Sequence, residues 1–474
     1  MHDLAAGVVF LSDCHPATAG KLAEAGAAVY AAVQMPTEHR QPDIAQIMTT
    51  LTSHPLRRVL NDEAHARPPI AIPSPARLTT LTLLFDDDDT AQRAAFVDLF
   101  RRLGLPLPDP RGAHHTGIAG DLTVRWALHT EFVRYTFVLS GDCVDPFERT
   151  ALDRLPKDWL ASLPGELMVA IHAVLLPASQ EAPASEISQR WFGGYDLIGA
   201  EIGDGNGVAY TDLRLHPDAR LSDGFSRYVV IDRDMGPSQS GRMLQRLFEI
   251  ETYRLLALLA LPEAKRQAPE LSRLGTQLRS VTQRMAEQSD TDALLLDELT
   301  DLAAQGEQLI AESQYRFAAA RAYYKLVERR ITELRESRLS GLQPFREFME
   351  RRLVPAMETC DTAAKRQERL MARLQRSTAL LRTRVEVMHE AQNRALLASM
   401  NKRAALQLRL QETVEGLSVG VLTYYAIGLL SYLFKAGKAL GAPINAELAT
   451  GLSVPLVALA VWWGMRRLKR TVLH

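Results

Sequence analysis

The densest group of side chains that could do chemistry lies in residues 53–69, SHPLRRVLNDEAHARPP. Its candidate functional residues are His54, Arg57, Glu63, His65 and Arg67. Two imidazoles and a carboxylate can bind a metal ion or act as an acid and a base. The spacing from His54 to Glu63 and His65 matches no established ligand pattern, so we favour a capping and packing role. Metal binding and catalysis stay open as the alternative.

Two other polar segments suggest chemistry but have simpler interpretations. The four aspartates at residues 86–89 would bind a divalent cation or, more simply, begin a helix over residues 90–104. The GDGNG at residues 203–207 stands between two strand-like segments and lacks the GK[ST] ending of a phosphate loop, which predicts a β-turn. Neither segment predicts a cofactor.

An enzymatic interpretation would combine the first group with His129, Glu131 and Asp212, in an acid–base or metal-binding role. The sequence contains no nucleophile elbow, phosphate loop or zincin helix that would support it. We therefore expect no enzyme and no cofactor, and a hydrolytic or metal-dependent enzyme is the least favoured of three functional hypotheses.

The overall composition is that of an ordinary globular protein. The 474 residues are 47% hydrophobic and 23% charged, and the formal net charge of −1 gives no general attraction for nucleic acid. The three cysteines, Cys14, Cys143 and Cys360, are far apart in sequence. This pattern is typical of a reducing compartment and argues against disulfides or a cysteine-built zinc site.

The elements that would position these residues fall into four regions. Residues 1–47 predict a weakly ordered extension, 48–236 a cytoplasmic α/β domain, 237–413 a helical stalk, and 414–474 a transmembrane hairpin with a basic cytoplasmic tail. Strands are predicted at residues 78–85, 122–129, 132–140, 167–176, 197–202, 208–213 and 227–232. Helices are predicted at residues 90–104, 146–163, 238–261, 268–288 and 292–337, with Ser238 or Ser240 as the cap of the third and Pro262 as its end.

One helix over residues 355–434 is the longest predicted element, about 120 Å at the rise of an α-helix. Within it, side chains at alternating spacings of three and four predict a coiled-coil seam. The seam consists of Met371, Leu374, Thr378, Leu381, Val385, Met388, Gln392, Ala395 and Ser399. Its partner would be the predicted helix at residues 292–337 of the same chain, which we favour, or the same helix of a second subunit.

Two segments, residues 416–434 and 448–465, contain no charged residue and are long enough to cross a bilayer. The basic residues outside them are Lys402, Arg403, Arg409, Arg466, Arg467, Lys469 and Arg470, whereas only Lys435 and Lys438 lie between them. The excess of positive charge predicts that both termini face the cytoplasm. The alternative is a pair of buried core helices.

Several stretches together resemble an uncharacterised bacterial family of predicted membrane-anchored proteins of unknown function. They are residues 54–69, 125–137, 210–230, 241–264 and 419–437. The resemblance covers nearly everything after residue 50 and implies an anchor in the bacterial inner membrane, without a known activity. Members of that family begin near the His54-Pro55 motif, which sets residues 1–47 apart.

A second resemblance is architectural. A cytoplasmic α/β domain, a very long helix that enters the first of two C-terminal spans, and a basic tail are together similar to the CorA magnesium-channel superfamily. Membership would imply a pentamer whose first span lines the pore and ends in a Gly-Met-Asn filter. Here Phe-Lys-Ala-Gly stands at residues 434–437, and a lysine at the mouth would repel a divalent cation. The resemblance therefore supports shape and oligomerisation more than magnesium transport.

The polar residues that could line or guard a pore are Ser418, Thr423, Tyr424, Ser431 and Lys435. Small hydroxylated side chains also pack membrane helices against each other. We rank an oligomeric channel with an ion substrate first, and a membrane-anchored cytoplasmic scaffold or sensor without transport close behind it. The expected partners are the lipid bilayer and further copies of the chain.

Overall fold

The computed structural model describes residues 53–58, 60–61, 69–86, 88–110, 112–142, 145–439 and 445–472. The chain divides into two compact units, Met1–Arg67 and Pro68–His474. Among the described residues, the sheet and the long helices all lie in the second unit. The predicted extension at residues 1–47 lies outside the described residues, as do Glu63, His65 and Arg67.

The described part of the second unit contains one mixed sheet of ten strands. They are β1 (Ala76–Leu84), β2 (His114–Ala119), β3 (Leu122–Leu128), β4 (Phe132–Ser140), β5 (Glu166–Pro177), β6 (Ile198–Ile202), β7 (Gly207–Thr211), β8 (Leu215–Asp218), β9 (Leu221–Asp232) and β10 (Ser337–Arg338). Their spatial order is β10-β6-β7-β9-β5-β1-β4-β3-β2, with β8 paired to β9. The neighbouring strands are antiparallel, except β5 and β9, which are parallel.

The burial of each strand follows from what covers it. In β3 every second residue, from Leu122 to Leu128, is buried, because only one face of this strand packs on the core. In β5 all residues from Val169 to Leu176 are buried, because both faces are covered. The structure confirms the predicted hairpin of β3 and β4 and the predicted turn between β6 and β7.

The helices lie on both faces of the sheet and then leave it. They are α1 (Thr90–Arg102), α2 (Lys157–Ala161), α3 (Ala184–Trp191), α4 (Pro237–Leu258), α5 (Ala260–Glu287), α6 (Asp292–Leu334), α7 (Phe345–Arg352), α8 (Val354–Ala439) and α9 (Ala446–Val472). On one face, residues such as Ile171 and Tyr228 share a hydrophobic cluster with Leu247 of α4, Phe317 of α6 and Met357 of α8. The sheet and the first part of the helical region therefore share one core, although α4 begins where we predicted the stalk to begin.

Several helix predictions were wrong at their ends. The predicted helix at residues 146–163 is only the 3-10 turn Ala151–Arg154 and α2, because Pro156 separates them and disfavours helix in the residue before it. Pro262 does not end a helix, since it is in the first turn of α5, where its missing N–H needs no partner within the helix. The N-cap of α4 is Gly236, followed by Pro237, and not a serine. The strands β2, β8 and β10 were not predicted, and α6 ends at Leu334, three residues before the predicted end at 337.

The predicted long helix is confirmed as one element of 86 residues, α8. Its first part packs against α5 and α6, where Leu374 and Leu381 share a hydrophobic cluster with Leu278 and Leu299. A Cβ atom on Gly306 of α6 would lie 2.6 Å from the Met371 sulfur, so glycine at this position lets the two helices approach. The predicted seam is buried at residues 371, 374 and 381 and exposed at 388, 392, 395 and 399. A coiled-coil geometry for the exposed part stays a prediction.

Two helices are long and apolar enough to cross a membrane. The helical run Phe345–Gly437 and the segment Ala446–Arg467 each contain a window of 18 residues with a mean hydropathy of 1.6. Only 6% of the first window and 0% of the second is buried. Such low burial is not that of core helices in a soluble protein. The two segments contact each other as α8 and α9, and the connecting residues 440–444 lie outside the described part.

Candidate functional site at the junction of sheet and helices

Glu131, in the turn between β3 and β4, is a buried carboxylate held by α6. The Tyr323 hydroxyl donates a hydrogen bond of 2.5 Å to Oε1, and the Tyr315 hydroxyl donates one of 3.3 Å to Oε2. The Arg316 guanidinium forms an ion pair of 3.0 Å with Oε2. Residues seven or eight positions apart lie on one face of a helix, so a single face of α6 supplies all three groups. They fix the turn of the sheet to this helix.

Arg134 of β4 forms the second part of this site. Its Nη1 lies 3.7 Å from Oε1 of Glu249 in α4, and the two side chains are 9% and 7% exposed. The Arg134 Nε and Nη2 atoms are buried without a hydrogen-bond partner in the described structure. The guanidinium lies 5.8 Å from the ring centre of Phe132 and 5.9 Å from that of Tyr253, within the range of cation–π attraction.

Glu249 joins Arg134 to α6. Its carboxylate accepts a hydrogen bond of 2.7 Å from Gln245 Nε2 and another from Arg330 Nε of α6. Arg330 in turn donates a bond of 2.7 Å to Glu333. The network therefore extends from the sheet through α4 into α6, and buried charges in it are compensated by partners on different elements.

Tyr253 and Tyr323 connect the two parts of the site. Their rings stack with centres 5.8 Å apart and planes 14° apart. Burial raises the pKa of both phenols, and the hydrogen bond to Glu131 raises the pKa of Tyr323 further. Tyr323 therefore stays protonated and donates to the carboxylate throughout the physiological pH range.

The members of this junction are buried charges and phenols, and two donors of Arg134 have no partner in the described structure. Among the described residues, no group of three or more His, Cys, Asp or Glu side chains could hold a metal ion. The arrangement holds two helices in a fixed position on the sheet.

A second buried polar group lies on β1, β5 and β8. The Thr79 hydroxyl is 2.8 Å from Nδ1 of His172, and Nε2 of His172 is 3.5 Å from Oδ2 of Asp218. Burial lowers the pKa of His172, while His172 and then Arg220 lower the pKa of Asp218 to about 2. The order of a hydroxyl, an imidazole and a carboxylate is that of a catalytic triad. Thr79 has no exposed surface, however, so its hydroxyl is not open to solvent as a nucleophile would be.

The described residues of the enzymatic interpretation that lie in the second unit have separate partners. Asp212 binds His216, with 3.0 Å between Oδ2 and Nε2, whereas Glu131 binds α6. His54 and Arg57 are exposed, and His54 Nδ1 accepts a bond of 3.2 Å from the Leu56 N–H in a local turn. The other members of this group, Glu63, His65 and Arg67, lie outside the described residues. The role of residues 53–69 therefore stays a prediction.

Two described aspartates of residues 86–89 make local contacts at the start of α1, although the N-cap Asp89 itself makes no side-chain capping hydrogen bond. Asp88 Oδ1 accepts a hydrogen bond of 3.0 Å from the Thr90 N–H at the start of α1. Asp89 pairs with Arg93 one turn later, at 3.0 Å. Asp87 lies outside the described residues.

The candidate pore residues do not form one polar stripe. Ser418 and Thr423 each donate to the carbonyl four residues earlier in their own helix, at 2.8 and 2.7 Å. Thr423 is buried, whereas Tyr424 is 75% exposed. Ser418 and Ser431 differ by about 140° around the helix at 3.6 residues per turn. Lys435 extends over the Tyr432 ring, 6.0 Å from its centre.

Sequence reasoning missed most of the junction. The missed residues are Arg134, Glu249, Arg316, Tyr323 and Arg330. A signal was present in α4, where Glu249, Glu251 and Arg254 interrupt the mostly apolar LFEIETYRLL, and in β4, where Arg134 interrupts FVRYTFV. A charge inside an apolar run predicts a buried partner, but it does not identify that partner.

Three of the stretches that carry the family resemblance, residues 125–137, 210–230 and 241–264, contact one another in the structure. Arg125 donates a bond of 3.2 Å to Gln245, and Ser226 donates one of 3.4 Å to Glu251. The family model described as "Protein of unknown function (DUF3422)" matches residues 52–472. In comparisons with curated proteins and with solved structures, nothing matches this chain. The chain belongs to the DUF3422 family of proteins of unknown function.

Proposed function

We propose that this protein is a membrane-anchored cytoplasmic scaffold or sensor whose mixed α/β body is connected to a two-helix membrane hairpin by one rigid helix. The observation that carries the proposal is the change of environment along α8. Residues such as Met357 and Leu381 are buried in the body, whereas only 6% of the apolar window near the other end of the same helix is buried.

The middle of α8 is a spacer. Residues 386–415 are exposed apart from the half-buried Glu415, and their length is about 45 Å at 1.5 Å per residue. An uninterrupted helix transmits rotation and translation along its axis better than a flexible linker does. The body is thus held at a defined distance from the hairpin.

The junction gives the body a physical route to this spacer. Glu131 binds α6 through Tyr323 and Arg316, and α6 packs along the first part of α8. Coupling between distant sites requires contiguous packed elements of this kind. In the proposed function, a partner or ligand that displaces the β3–β4 turn shifts α6 and therefore α8.

The geometry favours this function over a channel. The hydroxyls of Ser418 and Thr423 bond to their own helix and are not free to replace the hydration shell of an ion. The comparisons give no support to the CorA resemblance. We further propose that both termini face the cytoplasm of a bacterial cell and that the exposed spacer assembles with further copies of the chain.

Membrane extraction tests the anchor. Leu429→Arg and Leu456→Arg place a charge inside the two apolar windows, at side chains that are 68% and 72% exposed. Each arginine costs about 3 kcal/mol at the centre of a span, so the double variant should be released from membranes by alkaline carbonate whereas the unmodified chain stays in the pellet. Leu408→Arg is the matched control, because Leu408 is 62% exposed on the spacer of the same helix. Equal retention of the double variant would contradict the anchor.

Ion flux separates a scaffold from a channel. Full-length protein reconstituted in vesicles should conduct no cations or anions. If the unmodified chain does conduct ions, and Lys435→Glu shifts the selectivity toward cations, the protein forms a pore with Lys435 at its mouth.

A further inference from the structure

A basic groove lies between α5 and α8, away from the junction and from the apolar windows. It has a volume of about 340 Å³ and is lined by α5 and α8 alone. Four arginines line it: Arg279 from α5, and Arg366, Arg369 and Arg373 from α8. The spacing of three and four residues places the last three on one face of α8. The lining contains no carboxylate.

The charges of this groove are uncompensated. None of the four arginines has a carboxylate within ion-pair distance among the described residues, although most other arginines of α5 and α6 do. Arg366 is held by a bond of 2.9 Å from Nη2 to the Ser272 hydroxyl. Four guanidinium groups that line one groove without an acid repel one another, so an anion bound there would stabilise the arrangement.

Small residues of α5 create the space. Ser272, Gly275 and Thr276 face the arginines, and a Cβ atom built on Gly275 would contact nothing within 4 Å. Gly275 therefore has no conformational or packing need to be glycine, in a helix that glycine weakens. Its effect is to leave the groove open.

We propose that this groove binds a small, soluble anion that carries more than one phosphate group. Guanidinium groups bind phosphate oxygens in a planar, two-pronged geometry. The Ser272 and Thr276 hydroxyls donate within α5, to the carbonyls of Ala268 and Ser272, so the arginines supply the donors of the site. The volume lies at the lower end of the range for small-ligand sites. Because the lining contains no aromatic ring, the groove recognises the phosphates and not a base.

The position of the groove argues against a lipid headgroup of the same membrane. Arg373 precedes the apolar segment at residues 416–434 by about 65 Å along a straight helix. A soluble phosphate compound can reach the groove, whereas the bilayer that holds the hairpin cannot. The site goes beyond the proposed anchoring function and would add a soluble ligand to the stalk.

Titration calorimetry of the full-length protein with inorganic pyrophosphate tests the proposal. We expect saturable binding that weakens as the salt concentration rises, and a Kd at least tenfold higher in Arg369→Gln/Arg373→Gln, since two charge-assisted contacts are lost. Arg382→Gln is the control, because this exposed arginine is half a turn around α8 from Arg373. It should leave the Kd unchanged.

A second variant tests the shape of the site without changing its charge. Gly275→Leu should fill the groove, raise the Kd at least tenfold and leave the melting temperature equal or higher. Absence of pyrophosphate binding, or a Kd that the double arginine variant and Gly275→Leu leave unchanged, would overturn the proposal. The same titration is repeated with the protein in nanodiscs of phosphatidylglycerol and of phosphatidylcholine. If pyrophosphate binding is lost in phosphatidylglycerol and kept in phosphatidylcholine, lipid headgroups occupy the groove, and the assignment to a soluble anion is overturned.

Discussion

Arg134 of β4 and Glu249 of α4 form a buried ion pair, 3.7 Å apart, at the point where the sheet meets the helices. Arg330 and Gln245 complete the hydrogen bonding of Glu249, whereas two nitrogen atoms of Arg134 have no partner in the described structure. The ion pair therefore leaves part of the hydrogen-bonding capacity of Arg134 unused. It connects the sheet to the helices, the two parts that the proposed function couples.

Removal of this carboxylate should be strongly destabilising. In Glu249→Ala the Arg134 and Arg330 guanidinium groups lose their shared acid, and a buried pair broken in this way costs about 3–5 kcal/mol. Chemical unfolding of the detergent-solubilised chain measures the loss. Glu390→Ala removes an exposed partner of Arg394 and should change the stability by less than about 1 kcal/mol. A similar loss in both variants would show that Glu249 has no special role.

Loss of the hydrogen bond between the β3–β4 turn and α6 should loosen the turn locally without unfolding the protein. Tyr323→Phe removes the 2.5 Å hydrogen bond to Glu131 and keeps the ring that stacks on Tyr253. The loss of a bond to a charged acceptor is worth about 1.5–3 kcal/mol. Hydrogen exchange should therefore speed up in residues 129–131 and around residue 323 while the β5 core stays protected. Unchanged exchange at the turn would remove the proposed route from the sheet to α8.

Acid should weaken the fold through His172. Because burial lowers its pKa below the ordinary 6.5, the unfolded chain takes up a proton near that pH and the folded chain does not. The free energy of unfolding should therefore fall as the pH drops below about 6.5 and be insensitive to this group above it. His172→Gln should flatten the slope between about pH 7 and pH 5, and the exposed His389→Gln should not. An unchanged slope in His172→Gln would contradict the assignment.

The exposed spacer should hold the subunits together. Leu396, Met400 and Leu410 are each at least 58% exposed and lie within about 80° of one another around α8. Their replacement by glutamine should lower the mass of the detergent-solubilised complex, measured by light scattering. Leu397→Gln/Leu408→Gln changes two exposed leucines about 100–120° around the same helix from Leu396 and serves as the control. A monomer in the unmodified chain would contradict the proposed assembly.

The long helix and the apolar segments were predictable because their signals are local. Residues 416–434 carry no charge, and helical periodicity extends without a proline or paired glycines from residue 356 to the end of the first segment. The predicted helix of residues 355–434 accordingly corresponds to α8, Val354–Ala439. Strand alternation in residues 122–140 was equally local and gave the β3–β4 hairpin.

The sheet order and the junction were not predictable because they depend on distant pairings. The parallel pairing of β5 with β9 connects Ile171 with Ser226, and no local pattern marks it. Glu249 was visible as a charge in an apolar helix, but its partners Arg134 and Arg330 come from a strand and from another helix. The group at residues 54–67 drew attention through its residue types alone, and its three members at 63, 65 and 67 lie outside the described residues.

Cysteine labelling in intact cells tests the central claim, which is that α8 and α9 form a membrane hairpin with the body and the tail on the inner side. In a chain without Cys14, Cys143 and Cys360, a single cysteine is placed either at Ala442, between the two apolar segments, or at His474. An impermeant maleimide added outside should modify the cysteine at position 442 and not the one at 474, and lysis should make position 474 reactive. Protection at 442 with labelling at 474, or protection at both until lysis, would contradict the proposed anchor.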